Sequence, residues 1–173
     1  MKVFSQFALP SLIVLSLALL GGCSLKDHPK PTDARYQVAQ GNRNYYGQSV
    51  EQDLEEAARW YNLAARQGNP EGEFYLARCY SRGDGVPKNH LEAAKWYRLA
   101  ALQGNPDAQY QLGRCYVLHE GVEKNNIMAY MWLNLAAITG NESARQDRDG
   151  VAQRMTDAEI ANAQRLSKEW SPN

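Results

Sequence analysis

Apolar and polar residues alternate along this chain with the period of a helix. In the stretch "NPEGEFYLARCYSRGDGVPKN", Phe74, Ala77 and Tyr80/Ser81 recur at intervals of three and four, and Leu76, Cys79 and Tyr80 form an overlapping stripe. That spacing predicts an amphipathic helix. Gly68 suits the left-handed end of the helix before it, Asn69 suits the N-cap and Pro70 the first turn. "RGDGVPKN" then leaves no good helical path. A second helix follows Asn89, with Ala93, Trp96, Tyr97, Ala100 and Ala101 on one face. Glu92 stands three residues after Asn89, the spacing of a capping box, and Asp53 and Glu56 repeat it upstream. The unit predicted is a helical hairpin.

The hairpin is spelled more than once. "EAARWYNLAARQGNP", "EAAKWYRLAALQGNP" and "MAYMWLNLAAITGNE" place Trp60, Trp96 and Trp132 at one period of 36 residues, and Gly68, Gly104 and Gly140 share it. A fixed period of this length marks a stacked architecture, because one hairpin cannot bury its own apolar faces. The chain is therefore predicted to be all-α, a solenoid in which the three tryptophans pack in the core. The first copy is the weakest. Gln40 falls where Leu76 and Leu112 stand in later copies, so a shifted, short or frayed first helix is expected there. After Asn141 the pattern fades. A helical stretch broken or bent near Gly150 is expected, then a capping box at Thr156 and Glu159, then a last helix carrying Ile160, Ala163, Gln164 and Leu166 to Trp170. Residues 35–141 are thus read as three repeats and residues 142–173 as capping helices.

These residues resemble the Sel1-like repeat, a relative of the tetratricopeptide repeat. Leu76, Ala77, Tyr80, Gly83, Gly85, Val86, Ala93, Trp96, Tyr97, Ala100, Ala101 and Gly104 match its pattern in the middle copy. Ala108, Leu112, Gly113, Tyr116, Gly121, Val122, Ala129, Trp132, Ala136, Ala137 and Gly140 match it in the next, with departures at His119 and Leu133. The resemblance implies an α-solenoid whose first helices line a concave, partner-binding face. Related repeat lipoproteins act as scaffolds in envelope assemblies. Some cysteine-rich relatives have been connected with β-lactam binding, but they pair cysteines within each repeat, and this chain does not.

The amino terminus is different in kind. Lys2 is its only charge before an apolar run over residues 9–20, too short to span a bilayer comfortably and suited to a secretory signal. Its end, "LLGGCS", resembles a bacterial lipobox, which implies cleavage after residue 22 and lipidation of Cys23. Ser24, rather than aspartate, resembles an outer-membrane address, so the periplasmic face of that membrane is the expected location. Residues 23–34, polar with Pro29 and Pro31, read as a tether. Cys79 and Cys115 occupy one position in consecutive repeats. Equivalent helices of a stack lie about 8–10 Å apart, farther than a disulfide reaches, so both are expected to be free thiols in the core.

Nineteen basic and nineteen acidic side chains balance, which gives no hint of nucleic acid or polybasic membrane binding. His28, His90 and His119 have no metal-ligand spacing, and no nucleophile or phosphate-loop motif occurs. No cofactor, metal or catalytic residue is assigned. What remains is surface. With Leu76 and Leu112 in the core, the concave candidates are Glu71, Phe74, Arg78, Ser81 and Arg82, and one layer on Asp107, Tyr110, Arg114, Val117 and Leu118. Arg78 and Arg114 would stack as a ledge able to hold a carboxylate and a neighbouring apolar group of a peptide; alternatively they are solvated, or paired with Glu71 and Asp107. The leading expectation is a non-catalytic adaptor of the cell envelope that binds a protein or peptide in its groove. A small enzyme or binder of cell-wall fragments, and a regulator that senses groove occupancy, are the alternatives.

Overall fold

The computed structural model describes residues 31–170. The signal segment, Cys23 and most of the tether lie outside the described residues. Within them there are eight helices: α1 Ala34–Tyr46, α2 Leu54–Ala65, α3 Pro70–Arg82, α4 His90–Leu102, α5 Pro106–Leu118, α6 Asn126–Ile138, α7 Glu142–Ala152 and α8 Asp157–Glu169. No strand occurs among the described residues. α1/α2, α3/α4 and α5/α6 form hairpins, and α2 packs on α3, α4 on α5 and α6 on α7. The architecture is the predicted all-α solenoid.

The helix starts recur with the period of the sequence. Asp33, Asn69, Asn105 and Asn141 cap α1, α3, α5 and α7, each accepting a bond from a backbone N–H of the first turn. Asp53, Asn89 and Asn125 do the same for α2, α4 and α6. The reciprocal half of the expected capping boxes is absent at Asp53 and Asn89. Their backbone N–H groups already donate to Asn44 O (3.1 Å) and Tyr80 O (2.8 Å) at the end of the previous helix. Glu56 and Glu92 turn instead to Arg59 and Lys95. Only Thr156 and Glu159 form the full box, where the Thr156 N–H donates to Glu159 Oε2 at 2.8 Å.

One further expectation is corrected. α1 is neither short nor frayed: it has 13 residues, like α3 and α5, and ends on Gly47 in the left-handed region (φ 65°). Gln40 is half-buried, and its backbone carbonyl accepts from Asn44 Nδ2 (2.9 Å). α7 ends at Ala152, close to Gly150, and a turn at Gln153 and Arg154 leads to the Thr156 cap of α8.

Alanines fill the seams between helices: Ala57, Ala64, Ala77, Ala93, Ala100, Ala101, Ala108, Ala129 and Ala136 are at most 1% exposed. Small residues there let helix axes approach closely. Of the three tryptophans only Trp132 is core, at 3% exposed. Trp60 and Trp96 are half-buried, and the fully enclosed position of the repeat is the next one, occupied by Tyr61, Tyr97 and Leu133. The cause is α8. It folds back over α6 and sets Trp170 edge-on to Trp132, ring centres 6.3 Å apart. No such helix covers α2 or α4. Trp60 has only the edge of Tyr36, at 6.3 Å.

Cys79 and Cys115 are buried free thiols, each pushed up to about 12 mainly by burial. Gln37, Glu73 and Gln109, one period apart, are buried polar residues that the sequence reading did not single out. Gln67 Nε2 donates to Gln37 Oε1 (2.7 Å), and one repeat on Gln103 Nε2 donates to Glu73 Oε2 (2.8 Å). In the third copy Thr139 stands where those glutamines do, and Gln109 Nε2 turns to Ala101 O (3.3 Å). Burial pushes the Glu73 carboxyl up to about 7, against the bond from Gln103.

Candidate functional site: a concave trough

The first helices of the three hairpins, α1, α3 and α5, and then α7 with the turn after it, present equivalent positions side by side. One row reads Asn42, Arg78, Arg114, Gly150; the next Tyr46, Arg82, Leu118, Arg154. At the α1 end the row is filled by aromatic rings. Tyr61 stacks on Tyr75 with centres 4.9 Å apart, its hydroxyl donates to Asn42 Oδ1 (2.8 Å), and Tyr45 OH donates to Asp84 Oδ2 (2.6 Å). The Arg78 guanidinium lies against these rings, 5.3 Å from the centres of Tyr45 and Tyr75 and 5.9 Å from Phe74. Cation–π contact of this kind favours a guanidinium but supplies no counter-charge.

From Arg78 onward the face opens. A recess of about 190 Å³ lies between α3 and α5, lined by Arg78, Ser81, Arg82, Arg114 and Leu118, with Tyr97 of α4 also in its wall. A broader trough of about 670 Å³ continues between α5 and α7, along Tyr110, Arg114, Val117 and Leu118. Arg114 and Leu118 border both. Thus Arg78, Ser81, Arg82, Tyr110, Arg114, Val117 and Leu118 share one continuous surface. The other three candidates do not join it. Phe74 is 9% exposed and packs in the core with its ring centre 6.0 Å from Tyr97, a correction to its placement on the surface. Glu71 and Asp107 are exposed at the helix starts and line neither cavity.

Among the described residues no carboxylate forms an ion pair with Arg78, Arg82 or Arg114. Pairing with Glu71 and Asp107 is therefore not what the structure shows. Arg78 Nε is buried without a hydrogen-bond partner, and the Arg114 guanidinium rests only over Tyr110, 5.8 Å from the ring centre. The recess thus holds three cations, with Glu120 as the single acid in its wall and 3.7 Å from His90 Nδ1.

The far wall of the trough, Gln146, Asp147 and Gly150 of α7 with Gln153 and Arg154 of the turn after it, was missed. The signal was present. Four of the five stand one 36-residue period beyond Tyr110, Arg114, Val117 and Leu118. The repeat consensus fades there, but the register set by the Asn141 cap does not. Gly150, two residues before the end of α7, stands one period after Arg114 and lines the trough. Among the described residues no group of three or more His, Cys, Asp and Glu side chains converges on a metal-sized site, and no helix is long and apolar enough to cross a membrane.

Comparison with known proteins agrees with the fold. The Sel1 repeat family model matches residues 32–69, 70–105 and 106–141, so the copy with Gln40 counts as a full repeat. Among solved structures, a protective antigen of uropathogenic Escherichia coli displaying an SLR fold superposes with a TM-score of 0.74 at 31% identity. The match covers 80% of this chain and 30% of that one, so this chain spans under a third of the antigen's length. A Sel1 repeat protein of Oxalobacter formigenes is 37% identical over 69% of this chain and 90% of its own, with a TM-score of 0.63. Cysteine-rich protein B of Helicobacter pylori shares the fold at 23% identity and a TM-score of 0.56, over 73% of this chain and 98% of its own. No curated protein matches. Three tandem matches on a solenoid of this shape leave one assignment: the chain belongs to the Sel1 repeat family, whose members generally serve as scaffolds for protein interactions.

Proposed function

We propose that this protein is a non-catalytic adaptor of the bacterial cell envelope, which receives a segment of a partner protein in the trough bordered by α3, α5 and α7. The observation that carries this reading is the trough itself: seven residues from two repeats on one open face, with guanidinium groups that no carboxylate among the described residues pairs with. An extended segment can lie along such a face, its acidic groups on the arginines and its apolar groups on Leu118 and Val117. Burial pushes the thiols of Cys79 and of Cys115, which reaches the recess wall but is only 6% exposed, up to about 12, and this supports a non-catalytic reading, since a nucleophilic cysteine needs its thiolate. "LLGGCS" supports a lipid on Cys23, and Ser24 supports an outer-membrane destination. Several acyl chains give stable anchoring where one is marginal.

A photo-crosslinking residue placed at Val117 in the trough, or at the exposed Leu63 of α2, tests the site in intact cells. A discrete partner adduct is expected from position 117 and not from 63. Equal labelling from both, or labelling only from 63, refutes the trough. Cys23→Ser should move the protein out of the membrane fraction; retention there overturns the anchor.

A further inference from the structure

The second helices of the hairpins carry a surface separate from the trough. Trp60 and Leu63 of α2, Trp96 and Leu99 of α4, and Trp132 and Leu135 of α6 hold the same two positions of the repeat. In α6 both are 3% exposed, because α8 lies over them. In α4 Leu99 is 45% exposed and Trp96 half-buried, and neither lines the recess or the trough. We propose that α4 docks, beside α8, an amphipathic helix of a partner protein, one in which a leucine is followed directly by an acidic residue and, four positions after the leucine, by a second large apolar residue. The site is independent of the trough.

The contact between α6 and α8 shows what this row accepts. α8 meets α6 through Leu166 and Trp170, four positions apart and so on one helix face, with Trp170 edge-on to Trp132. The two sides of α8 differ. Ile160 and Ala163 pack on the cluster shared by α6 and α7, whereas Leu166 and Trp170 pack on the cluster that runs back into α4, against which Trp96 also lies. Leu166 and Trp170 are themselves only half-buried. The row on α4 therefore continues the α6–α8 interface rather than standing alone. Leu63, one repeat farther from α8, has no such neighbour. A helix laid into an apolar surface by anchors at i and i+4 is a common mode of recognition, because one face of the helix supplies every contact.

Charge distinguishes the partner helix from a second α8. Met131, buried under α8, is Lys95 at the same position of α4. Against Met131 α8 sets Ser167, the residue after Leu166, with its Oγ 3.4 Å from Met131 O. A helix in the equivalent place on α4 brings the residue after its leucine to the Lys95 ammonium. Serine gains little there, whereas a carboxylate forms an ion pair. Lys95 now pairs with Glu92 at 2.6 Å in an exposed contact one helical turn long. Such a pair is weak, and the ammonium keeps two further N–H donors for a second acid.

The test uses the full-length protein in lipid nanodiscs and fluorescein-labelled peptides, with binding read by anisotropy against empty nanodiscs. The first peptide has the sequence of residues 156–170. The second differs from it by Ser167→Glu, and the third by Ser167→Glu together with Leu166→Ala and Trp170→Ala. The second should bind about fivefold more tightly than the first, and the third at least about tenfold more weakly than the second. In the protein, Leu99→Glu, at an exposed position, should abolish binding without loss of helicity, and Lys95→Glu should reverse the order of the first two peptides. Binding that survives Leu99→Glu means that the peptide displaces α8 from α6, and overturns the site. Tighter binding of the first peptide than of the second by the parent protein, or no binding of any peptide, overturns it as well. The rival occupants are read on the same protein. A photo-crosslink from position 99 to another copy assigns the row to self-association. Quenching of tryptophan emission by brominated lipid in the parent, but not in Leu99→Glu, assigns it to the bilayer. Either result overturns the partner helix.

Discussion

At the residue scale the repeat explains which substitutions it tolerates. Gly85 and Gly121 have φ of 71° and 73°, and a Cβ on either would fall 2.0 Å from a backbone oxygen of the preceding repeat, Leu54 O or His90 O. Ser49 holds the same position in the first copy with φ 60°. It has no earlier repeat to collide with, so only the modest strain of a left-handed residue remains. Gly121→Ala should therefore cost at least about 2 kcal/mol in urea unfolding, whereas Ser49→Ala should stay within about 1 kcal/mol. Similar losses at both sites would refute the inter-repeat collision. Glu73 makes the second case. Its folded pKa of about 7 lies above the ordinary 4.5, so between those values the folded state holds a proton that the unfolded state has released. Its contribution is complete below about pH 4.5, falls as pH rises to about 7, and is level beyond. Glu73→Gln, the residue type at positions 37 and 109, should match the parent near pH 4.5 and exceed it at pH 8 by on the order of 2 kcal/mol. Urea melts of the two proteins at both pH values decide this; a difference independent of pH would show that the carboxyl titrates normally.

Helices were legible in the sequence wherever the signal was local. Every start is marked by Asp, Asn or Thr, because a side-chain oxygen must satisfy the orphan N–H groups of the first turn. His119 replaces the glycine end signal, but at φ 61° it occupies the left-handed region as Gly83 does, its Nδ1 accepting from Lys124 N (3.1 Å). What could not be read was what lies against each helix. Trp60, Trp96 and Trp132 are identical in the period, yet only the last is covered, because the covering helix comes from outside the repeat. The boxes at Glu56 and Glu92 fail for the same kind of reason: the donor they need is already bonded to another helix. The concave candidates fared better, since position along a regular stack does define exposure there. Only Phe74 turned inward, toward Tyr97. The asymmetry among the tryptophans is measurable. Trp132→Ala should cost about 3–4 kcal/mol, as for a core aromatic, and Trp60→Ala about half that or less. Comparable losses would mean that α8 does not cover α6 in solution.

Across the whole molecule the stack behaves as a chain of neighbours, each hairpin stabilised mainly by the one before and the one after. Two kinds of damage should then spread differently. Leu112 is fully buried in the cluster that joins α3 and α4 to α5 and α6. Leu112→Ala, besides a direct loss of about 3 kcal/mol, divides the array into pieces of fewer than three repeats, which are too short to hold a continuous core. Leu166 packs on the same cluster from α8, at the rim of the stack. Leu166→Ala should loosen α8 and expose Trp132, while α1 to α3 keep their own neighbours. Native-state amide exchange separates the two patterns. For Leu112→Ala, protection should fall in every helix. For Leu166→Ala it should fall in α8 and α6 and stay at the parent level in α1, α2 and α3. A uniform fall in the second variant would mean that the molecule unfolds as a single unit, and the trough would then owe its shape to the whole array rather than to the joint between α3, α5 and α7.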